Sequence, residues 1–419
     1  MRVAILGVGT VGEAVVNILR KNAALIEARS GEKIEPVVGV VRDLTKRRNC
    51  DLELCTDMDS VLKRDDIDVY VELMGGVEYP YEIIKKILTR KKAVVTANKA
   101  LLAYHRYALE KLSNGIPFGY EASVAGGIPI IKALREGLSA NRIEKIAAIL
   151  NGTSNYILTS MMQDGKEFDA VLKEAQELGF AEADPTFDVD GFDAAHKLLI
   201  LSSIAYGVHG NPEDILIEGI RGIGKEDIYF AKEFGYVIKL LAISKIKDDK
   251  VELRVHPTLI ANNNILAKVD GVMNGVSIYA DAVGETMYYG AGAGGKATAS
   301  AVISDLIDVA RGNKNPILGY KSTNQKVFLL PKDEIQTKYY IKVRVKDRVG
   351  VLAKITNLMS KNNLSIDSFL QKSKFSNDDS TTLFFTTHQS FERDINALFL
   401  ELSKEDYITE KPYMIRIEE

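Results

Sequence analysis

Val3-Ala-Ile-Leu-Gly-Val-Gly-Thr-Val-Gly12 stands at the head of the chain: an apolar run that passes directly into Gly7-x-Gly9-x-x-Gly12. A short strand that is apolar at every position suits a parallel sheet covered on both faces. A glycine triplet of this kind is weak by itself. Between a first strand and an amphipathic helix through Val15, Val16, Ile18 and Leu19, each glycine acquires a task. Gly7 permits the tight turn, Gly9 lets backbone approach a pyrophosphate, and Gly12 packs helix on strand. Thr10 and Val11 then open a helix whose N-terminus faces the phosphates. The stretch predicts a dinucleotide-binding, doubly wound sheet of Rossmann type.

The next segments extend that pattern. Pro36–Val41 reads as a second strand, about thirty residues after the fingerprint where ~20 is usual, so the first helix or its loop is extended. Arg42 and Asp43 follow it. An acid there suits a ribose 2′-OH and an arginine a 2′-phosphate, so the signal is mixed and leans to NADP over NAD. Asp68–Gly76, a helix at Tyr81–Thr89 and the strand Ala93–Thr96 come next. Lys99 lies just past that strand's carboxyl end, the edge where open α/β sheets bind ligands. Phe118–Pro129 reads as a strand running into a glycine-rich turn, with Glu121 as an unpaired carboxylate in mid-strand.

The composition is ordinary for a folded chain of two or three domains: 419 residues, 46% hydrophobic, 26% charged, formal charge −3. Near-neutral charge gives no reason to expect nucleic acid or an anionic membrane as partner. Cys50 and Cys55 are too few for a disulfide framework or a structural zinc site. No signal peptide and no run of some twenty apolar residues is evident, so the cytoplasm is expected.

Beyond Ile130 the strand–helix alternation loosens. Ile143–Leu150 reads as a strand, Asn151–Tyr156 as a polar turn, and helices follow to Met161 and over Phe168–Leu178. Five acids then fall between Glu182 and Asp193, and Lys197 appears at the head of an apolar helix, Phe192–Tyr206, ending at Gly207. Asp193 and Lys197 share a face with Ile200, Leu201 and Ile204. Read alone, this is an acid-capped buried helix, with Asp190 as cap and Asp193–Lys197 as an i,i+4 pair. A calcium loop starting at Thr186 would put Lys197 where a bidentate glutamate is needed, which argues against it. Val251–Ala282 alternates as sheet, with His256 a packed strand residue. Gly290–Ser300 offers a second glycine run before a helix, either an anion site or a hinge.

The last eighty residues read as a separate module. Strands at Tyr339–Val345, Ser365–Lys372, Thr381–Thr387 and Pro412–Ile417 alternate with helices at Val349–Lys361 and Phe391–Ser403, with a hairpin turn at Ser376–Ser380. The order β-α-β-β-α-β is ferredoxin-like.

Taken together, Gly7–Gly12, Thr96-Ala-Asn-Lys99, Glu121–Pro129, Asn151–Tyr156 and above all the spacing E-A-D-P-x-x-D-x-x-G-x-D-A-A-x-K over Glu182–Lys197 resemble homoserine dehydrogenase. The tail resembles an ACT domain in Val343–Ala353 and Asn363–Asp367. The resemblance implies a Rossmann domain at 1–130, an α+β substrate and dimerisation domain at 131–295, with 296–320 packing back on the first domain. A linker at 321–337 and an ACT domain at 338–419 complete it. It implies reversible reduction of L-aspartate 4-semialdehyde to L-homoserine with NADP(H) or NAD(H), within threonine, methionine and isoleucine biosynthesis. Lys197 would donate the proton, Asp193 would orient it, and Lys99 would sit between nicotinamide and substrate. Glu182 would hold the substrate ammonium and Asp188 would support the pocket. Gly7, Gly9, Thr10, Val11, Gly12, Arg42, Lys99 and Gly292 would line the cofactor. Glu121 and the carbonyls of Val124, Gly126 and Ile128 would hold a monovalent cation, Na+. L-threonine is the implied effector at the ACT domain, and a homodimer or homotetramer the implied assembly. Ala297 stands where the family often has proline. Rival readings are a dehydrogenase of another amino-acid-derived aldehyde or a non-catalytic nucleotide and amino-acid sensor. A phosphorylating semialdehyde dehydrogenase would need a nucleophilic cysteine, for which Cys50 and Cys55 are poorly placed.

Overall fold

The computed structural model describes residues 1–322, 327–376 and 379–418. Residues 377 and 378 of the expected hairpin turn, 323–326 of the expected linker and Glu419 lie outside the described residues.

The first sheet has six parallel strands in the order Leu54–Cys55, Glu35–Val40, Arg2–Leu6, Val69–Glu72, Ala93–Thr96 and Phe118–Gly119. This is the 3-2-1-4-5-6 order of a Rossmann sheet. Alternate residues of the same strands serve different faces. Ala4, Leu6, Tyr70 and Val94 pack with Ile83, Ile84, Leu101 and Leu102 of the helices Glu78–Thr89 and Lys99–Leu112. Val3, Ile5, Val69 and Val71 pack with Val15, Val16, Val302 and Leu306 on the other side. The sheet is therefore doubly wound, and one covering helix, Gly295–Ala310, returns to it from far along the chain. The long gap after the fingerprint has a local cause: the helix Thr10–Lys21 breaks at Asn22, and a second helix, Ala23–Ser30, follows and closes on left-handed Gly31.

The second sheet begins with five antiparallel strands, in the order Gly284–Ala291, Met273–Ala280, Ile143–Ile149, Tyr236–Lys247, Lys250–Ala261. Tyr236–Lys247 pairs residue by residue with Lys250–Ala261 around Asp248-Asp249, whose φ angles are 49° and 61°. Two left-handed residues make the tight hairpin, and because they are not Asn-Gly the turn carries no strong sequence mark. The helix Phe192–Tyr206 lies across this sheet, with Leu198, Leu199 and Leu201 in the same core as Ala148, Leu150, Val255 and Val276.

The C-terminal unit has strands Gln336–Lys346, Ile366–Ser376, Ser380–Thr387 and Tyr413–Glu418, with helices Val351–Lys361 and Glu392–Leu402. It is ferredoxin-like, and its sheet is continuous with the second sheet. Tyr413–Glu418 pairs in parallel with Lys250–Ala261 through Thr258↔Arg416 and Leu259↔Ile417, so one twelve-stranded sheet runs through both units. Buried ion pairs lock the seam. Arg416 bonds both oxygens of Glu218 at 2.8 Å, and Arg254 reaches Glu418 at 2.5 Å. Lys225–Glu233 also packs on the C-terminal sheet, where its Asp227 accepts from Tyr340 and Lys342, both at 2.7 Å.

Candidate active site

The helix Phe192–Tyr206 starts differently from its sequence reading. Its N-cap is Gly191, left-handed at φ 89°, rather than Asp190. Asp190 instead ends the short helix Thr186–Val189 and pairs with Arg221 at 2.7 Å. Release of Asp190 from capping is a consequence of the backbone turning sharply at Gly191, where Val255 and Ile217 side chains press close. Asp193 then falls in the first turn, where the helix dipole favours an acid.

Asp193 is the hub of the site. One carboxylate oxygen pairs with Lys99 and the other with Lys197 at 2.8 Å. Asn151 Nδ2 donates to Asp193 at 2.8 Å and to Asp188 Oδ1 at 2.7 Å, so one amide bridges the two acids. Lys197 also donates to the carbonyl of Leu150 at 2.6 Å, fixing its ammonium at the end of the strand Ile143–Ile149. An ammonium has three donors; two are directed at Leu150 and Asp193, and the third is left for a ligand oxygen. Lys99 is the first residue of its helix, capped by Asn98, where a cation opposes the dipole. Asp193 compensates for that placement.

The electrostatics follow from burial. Burial pushes the Lys197 ammonium below its ordinary value; Asp193 opposes this and the like charge of Lys99 adds to it. Burial would raise Asp193, but the Lys197 and Lys99 ammoniums outweigh it and hold the carboxylate well below its usual range. Asp188 is raised, chiefly by burial, with Asn151 opposing.

The other expected site residues are spread around this hub. Asp188 accepts from Asn151, and its carbonyl accepts from Ser154 Oγ at 2.9 Å. Glu182 is exposed on the loop before Thr186–Val189, its carboxylate without hydrogen bond or ion pair among the described residues. The structure does not bring Glu182 into contact with Asp193. Two features near Lys99 carry no catalytic motif: Phe187, 5.6 Å from the ammonium, and His196, packed edge-on against Phe187 and Tyr104. Asn151 and the Leu150 carbonyl were likewise outside the site set read from sequence. Asn before Gly-Thr-Ser signals a helix cap, which it is, since its Oδ1 accepts from Ser154 N at 2.8 Å; its second task depends on tertiary contacts.

At the fingerprint the three glycines have different surroundings. Gly7 has φ 105°, and a side chain there would meet the Leu73 carbonyl. Beyond Gly9 there is open space, and at Gly12 a Cβ would lie 2.6 Å from the Gly7 carbonyl oxygen. Thr10 and Val11 begin the helix. Arg48 donates to the Val8 carbonyl at 2.7 Å and so ties the loop after the second strand to the phosphate turn. Arg42 is exposed, while Asp43 Oδ1 already accepts from the Thr45 amide and hydroxyl. Glu72, buried at the end of its strand, accepts from Thr96 Oγ1 and Met74 N and braces the ligand edge. In the second glycine run it is Gly295 that abuts Thr10, whereas Gly292 packs on Asn274 and Gly126.

Glu121 is not in mid-strand. The strand stops at Gly119, Glu121–Ser123 forms a 3₁₀ turn, and the carboxylate accepts from the amides of Ile131 and Lys132 at 2.8 and 2.9 Å. The Ile128 carbonyl accepts from Ile130 N. Burial, with nearby Asp305, raises Glu121 to about 7, and burial raises Asp305 to about 6. No group of three or more His, Cys, Asp or Glu side chains able to hold a metal occurs among the described residues. His256 is fully buried between Arg254 and Thr258. Burial pushes the Cys50 thiol up, which is unlike an activated nucleophile.

Comparison with known proteins gives this geometry a family. The family model described as homoserine dehydrogenase matches residues 129–307, and that of the homoserine dehydrogenase NAD-binding domain matches 7–115. Over 418 residues the chain is 50% identical to a homoserine dehydrogenase of Helicobacter pylori, covering 100% of this chain and 99% of that one. The chain belongs to the homoserine dehydrogenase family. A homoserine dehydrogenase of Bacillus subtilis is 39% identical, with 100% and 98% covered. The solved homoserine dehydrogenase of Thiobacillus denitrificans superposes with a TM-score of 0.93 at 43% identity, covering 100% and 98% of the two chains. A hyperthermophilic archaeal homoserine dehydrogenase in complex with NADPH matches 73% of this chain and 96% of its own, with TM-score 0.62 and 27% identity. An ACT domain is matched at 339–405. The chain is thus a nicotinamide-dependent oxidoreductase with a C-terminal ACT unit. No helix among the described residues is long and apolar enough to cross a membrane.

Proposed function

We propose that the protein interconverts L-aspartate 4-semialdehyde and L-homoserine, with Lys197 as proton donor in reduction and acceptor in oxidation. The observation that carries this is the single carboxylate of Asp193 holding both Lys99 and Lys197. Bound nicotinamide supplies or takes the hydride at the substrate's C4. As the carbonyl π pair moves onto oxygen, the remaining Lys197 N–H delivers the proton, and a fixed cation beside that oxygen stabilises the developing charge. Asp193 keeps the ammonium aimed and Lys99 adds a second positive charge at the mouth. Asp188 and Glu182 supply negative charge for the substrate ammonium. Purified protein given L-homoserine and oxidised cofactor should generate nicotinamide absorbance. Failure with homoserine alongside turnover of another amino-acid alcohol would overturn the substrate assignment.

The preferred cofactor is NADP(H). Arg42 is exposed at the end of the second strand, and Asp43 Oδ1 is engaged by Thr45, which favours a 2′-phosphate over a bare ribose hydroxyl. Gly7, Gly9, Thr10, Val11, Gly12, Lys99 and Gly292 line the cofactor. A monovalent cation, Na+, sits at Glu121 with the carbonyls of Val124, Gly126 and Ile128. Such a site is built mainly of backbone oxygens, with Glu121 as its one carboxylate ligand and Asp305, itself paired with Lys132 at 3.6 Å, close by. The pathway is threonine, methionine and isoleucine biosynthesis in the cytoplasm, with L-threonine as ACT effector. The assembly is a homodimer or homotetramer, for which the outermost strand Ile366–Ser376 offers an edge. Inhibition of the full chain by millimolar threonine tests the effector.

A further inference from the structure

One buried polar side chain has no role in the site described above. Asn274, on the strand Met273–Ala280, is 1% exposed, and neither its Nδ2 nor its Oδ1 has a hydrogen-bond partner among the described residues. Buried amides are almost always paired, so one that is wholly unpaired marks a place where a partner arrives.

Its position says which partner. Gly275 pairs with Ile149, so Asn274 stands beside Leu150, the residue whose carbonyl holds Lys197. Side chains alternate along a strand. Gly275 faces Val269, Leu266 and Met287, while Val276 and Ile278 share a core with Leu150, Leu198 and Leu201. Asn274 therefore lies on the face that carries the catalytic helix. On its other side it pairs with Gly290, and Gly292 covers it so closely that any side chain at 292 would run into the amide. Gly295, three residues on, abuts Thr10 of the phosphate turn. Asn274 is thus placed between the phosphate turn and Lys197, where the reacting ring of a dinucleotide must lie.

We propose that the Asn274 carboxamide binds the carboxamide of the nicotinamide ring and fixes which face of the ring meets the substrate. The assignment rests on the hydride-transfer reading of the site. Both halves of the Asn274 amide are unpaired, and a primary carboxamide offers an acceptor and a donor together. A substrate carboxylate or ammonium would satisfy only one half. Gly292 lies directly over the Asn274 amide within a glycine-rich strip, with the Gly126–Gly127 turn packed behind it and Gly294 at φ 116°. A small shift of this glycine-rich strip uncovers the amide without disturbing the strand beneath.

The test compares the nicotinamide cofactor with its 3-acetylpyridine analogue, in which methyl replaces the amide NH₂, on the wild-type enzyme and on Asn274→Leu and Asn274→Ser. Removing one directed hydrogen bond from a site built for it shifts discrimination by about tenfold or more. The ratio of kcat/KM for the two cofactors should therefore change about tenfold on substitution, in favour of the analogue. Affinity for 2′-phospho-ADP-ribose, which lacks the ring, should stay unchanged, reporting an intact crevice. Equal losses with both cofactors would overturn the proposal. If the wild-type enzyme proves inactive on homoserine, the functional reading fails instead, and direct binding of the two cofactors to wild type and variants still decides the role of Asn274.

Discussion

Lys99 and Lys197 meet on one carboxylate, each taking one oxygen of Asp193. The two lysines come from helices that pack on different sheets, so Asp193 is a joint at which the two sheet units are electrically matched. Three buried or half-buried charges with a net of one positive remain ready for an oxyanion.

Asp193→Asn should therefore damage chemistry before it damages cofactor binding. Losing one partner of a buried pair costs about 3–5 kcal/mol, and the misaimed ammonium should lower kcat by roughly a hundredfold or more, the scale of positioned acid–base catalysis. Urea denaturation and steady-state kinetics read the two effects separately. A variant with near-normal kcat would remove Asp193 from the proton-delivery unit.

The pH profile should carry the mark of Lys197. Because burial lowers its pKa, aldehyde reduction, which needs the protonated amine, should decline at a pH below the ordinary 10.5 as pH rises. Homoserine oxidation, which needs the neutral amine, should rise over the same range. Both limbs should vanish in Lys197→Met. The same shift means the unfolded chain binds the extra proton, so this group's penalty on stability fades as pH rises towards 10.5. A limb at or above 10.5 in the wild type would count against the assignment.

Glu182 and Asp188 should separate in their effects. Glu182 is exposed and its carboxylate has no partner among the described residues, so Glu182→Gln should raise KM for homoserine by about tenfold, one charge-assisted contact at ~1.4 kcal/mol. Its melting temperature and cofactor affinity should hold. Asp188→Asn disturbs the Asn151 bridge as well and should reduce kcat too. Identical kinetics for the two variants would show that Glu182 is not a separate substrate contact.

The Glu121–Asp305 pair predicts a sodium-sensitive stability. Their folded pKa values, about 7 and about 6, lie above the ordinary 4.5 and 3.8. The folded state then retains protons that the unfolded chain releases. Stability from these groups is full below pH 4, and is lost as pH rises towards 7. At pH 8, NaCl should raise the melting temperature more than choline chloride at equal ionic strength. Glu121→Gln should abolish that difference; a difference that survives would place the cation elsewhere.

Much of this was readable from local sequence. The fingerprint glycines are fixed by contacts within a few residues of each other, and Phe192–Tyr206 is bounded by apolar density and Gly207. Asp190 was misread because its capping role depends on whether Gly191 turns left-handed, which composition does not reveal. The hairpin at Asp248-Asp249 hid for a similar reason. The meeting of Lys99 with Asp193, and the bridging by Asn151, depend on how two sheets dock. A period or a spacing carries no information about that. The mutual pairing of Asp193 with Lys99 and Lys197 is the reason these charges tolerate burial.

The ladder from Thr258 to Arg416, with Arg416 held by Glu218, has a practical meaning for anyone wishing to separate the ACT unit from the rest of the chain. Cutting the chain at Pro331 would take four strands from one end of a continuous sheet, expose Lys250–Ala261 along the edge that Tyr413–Glu418 covers, deprive Glu218 of Arg416 and leave Arg254 with Glu252 alone. Changes to the ACT unit should therefore be made as point substitutions, with the seam kept intact.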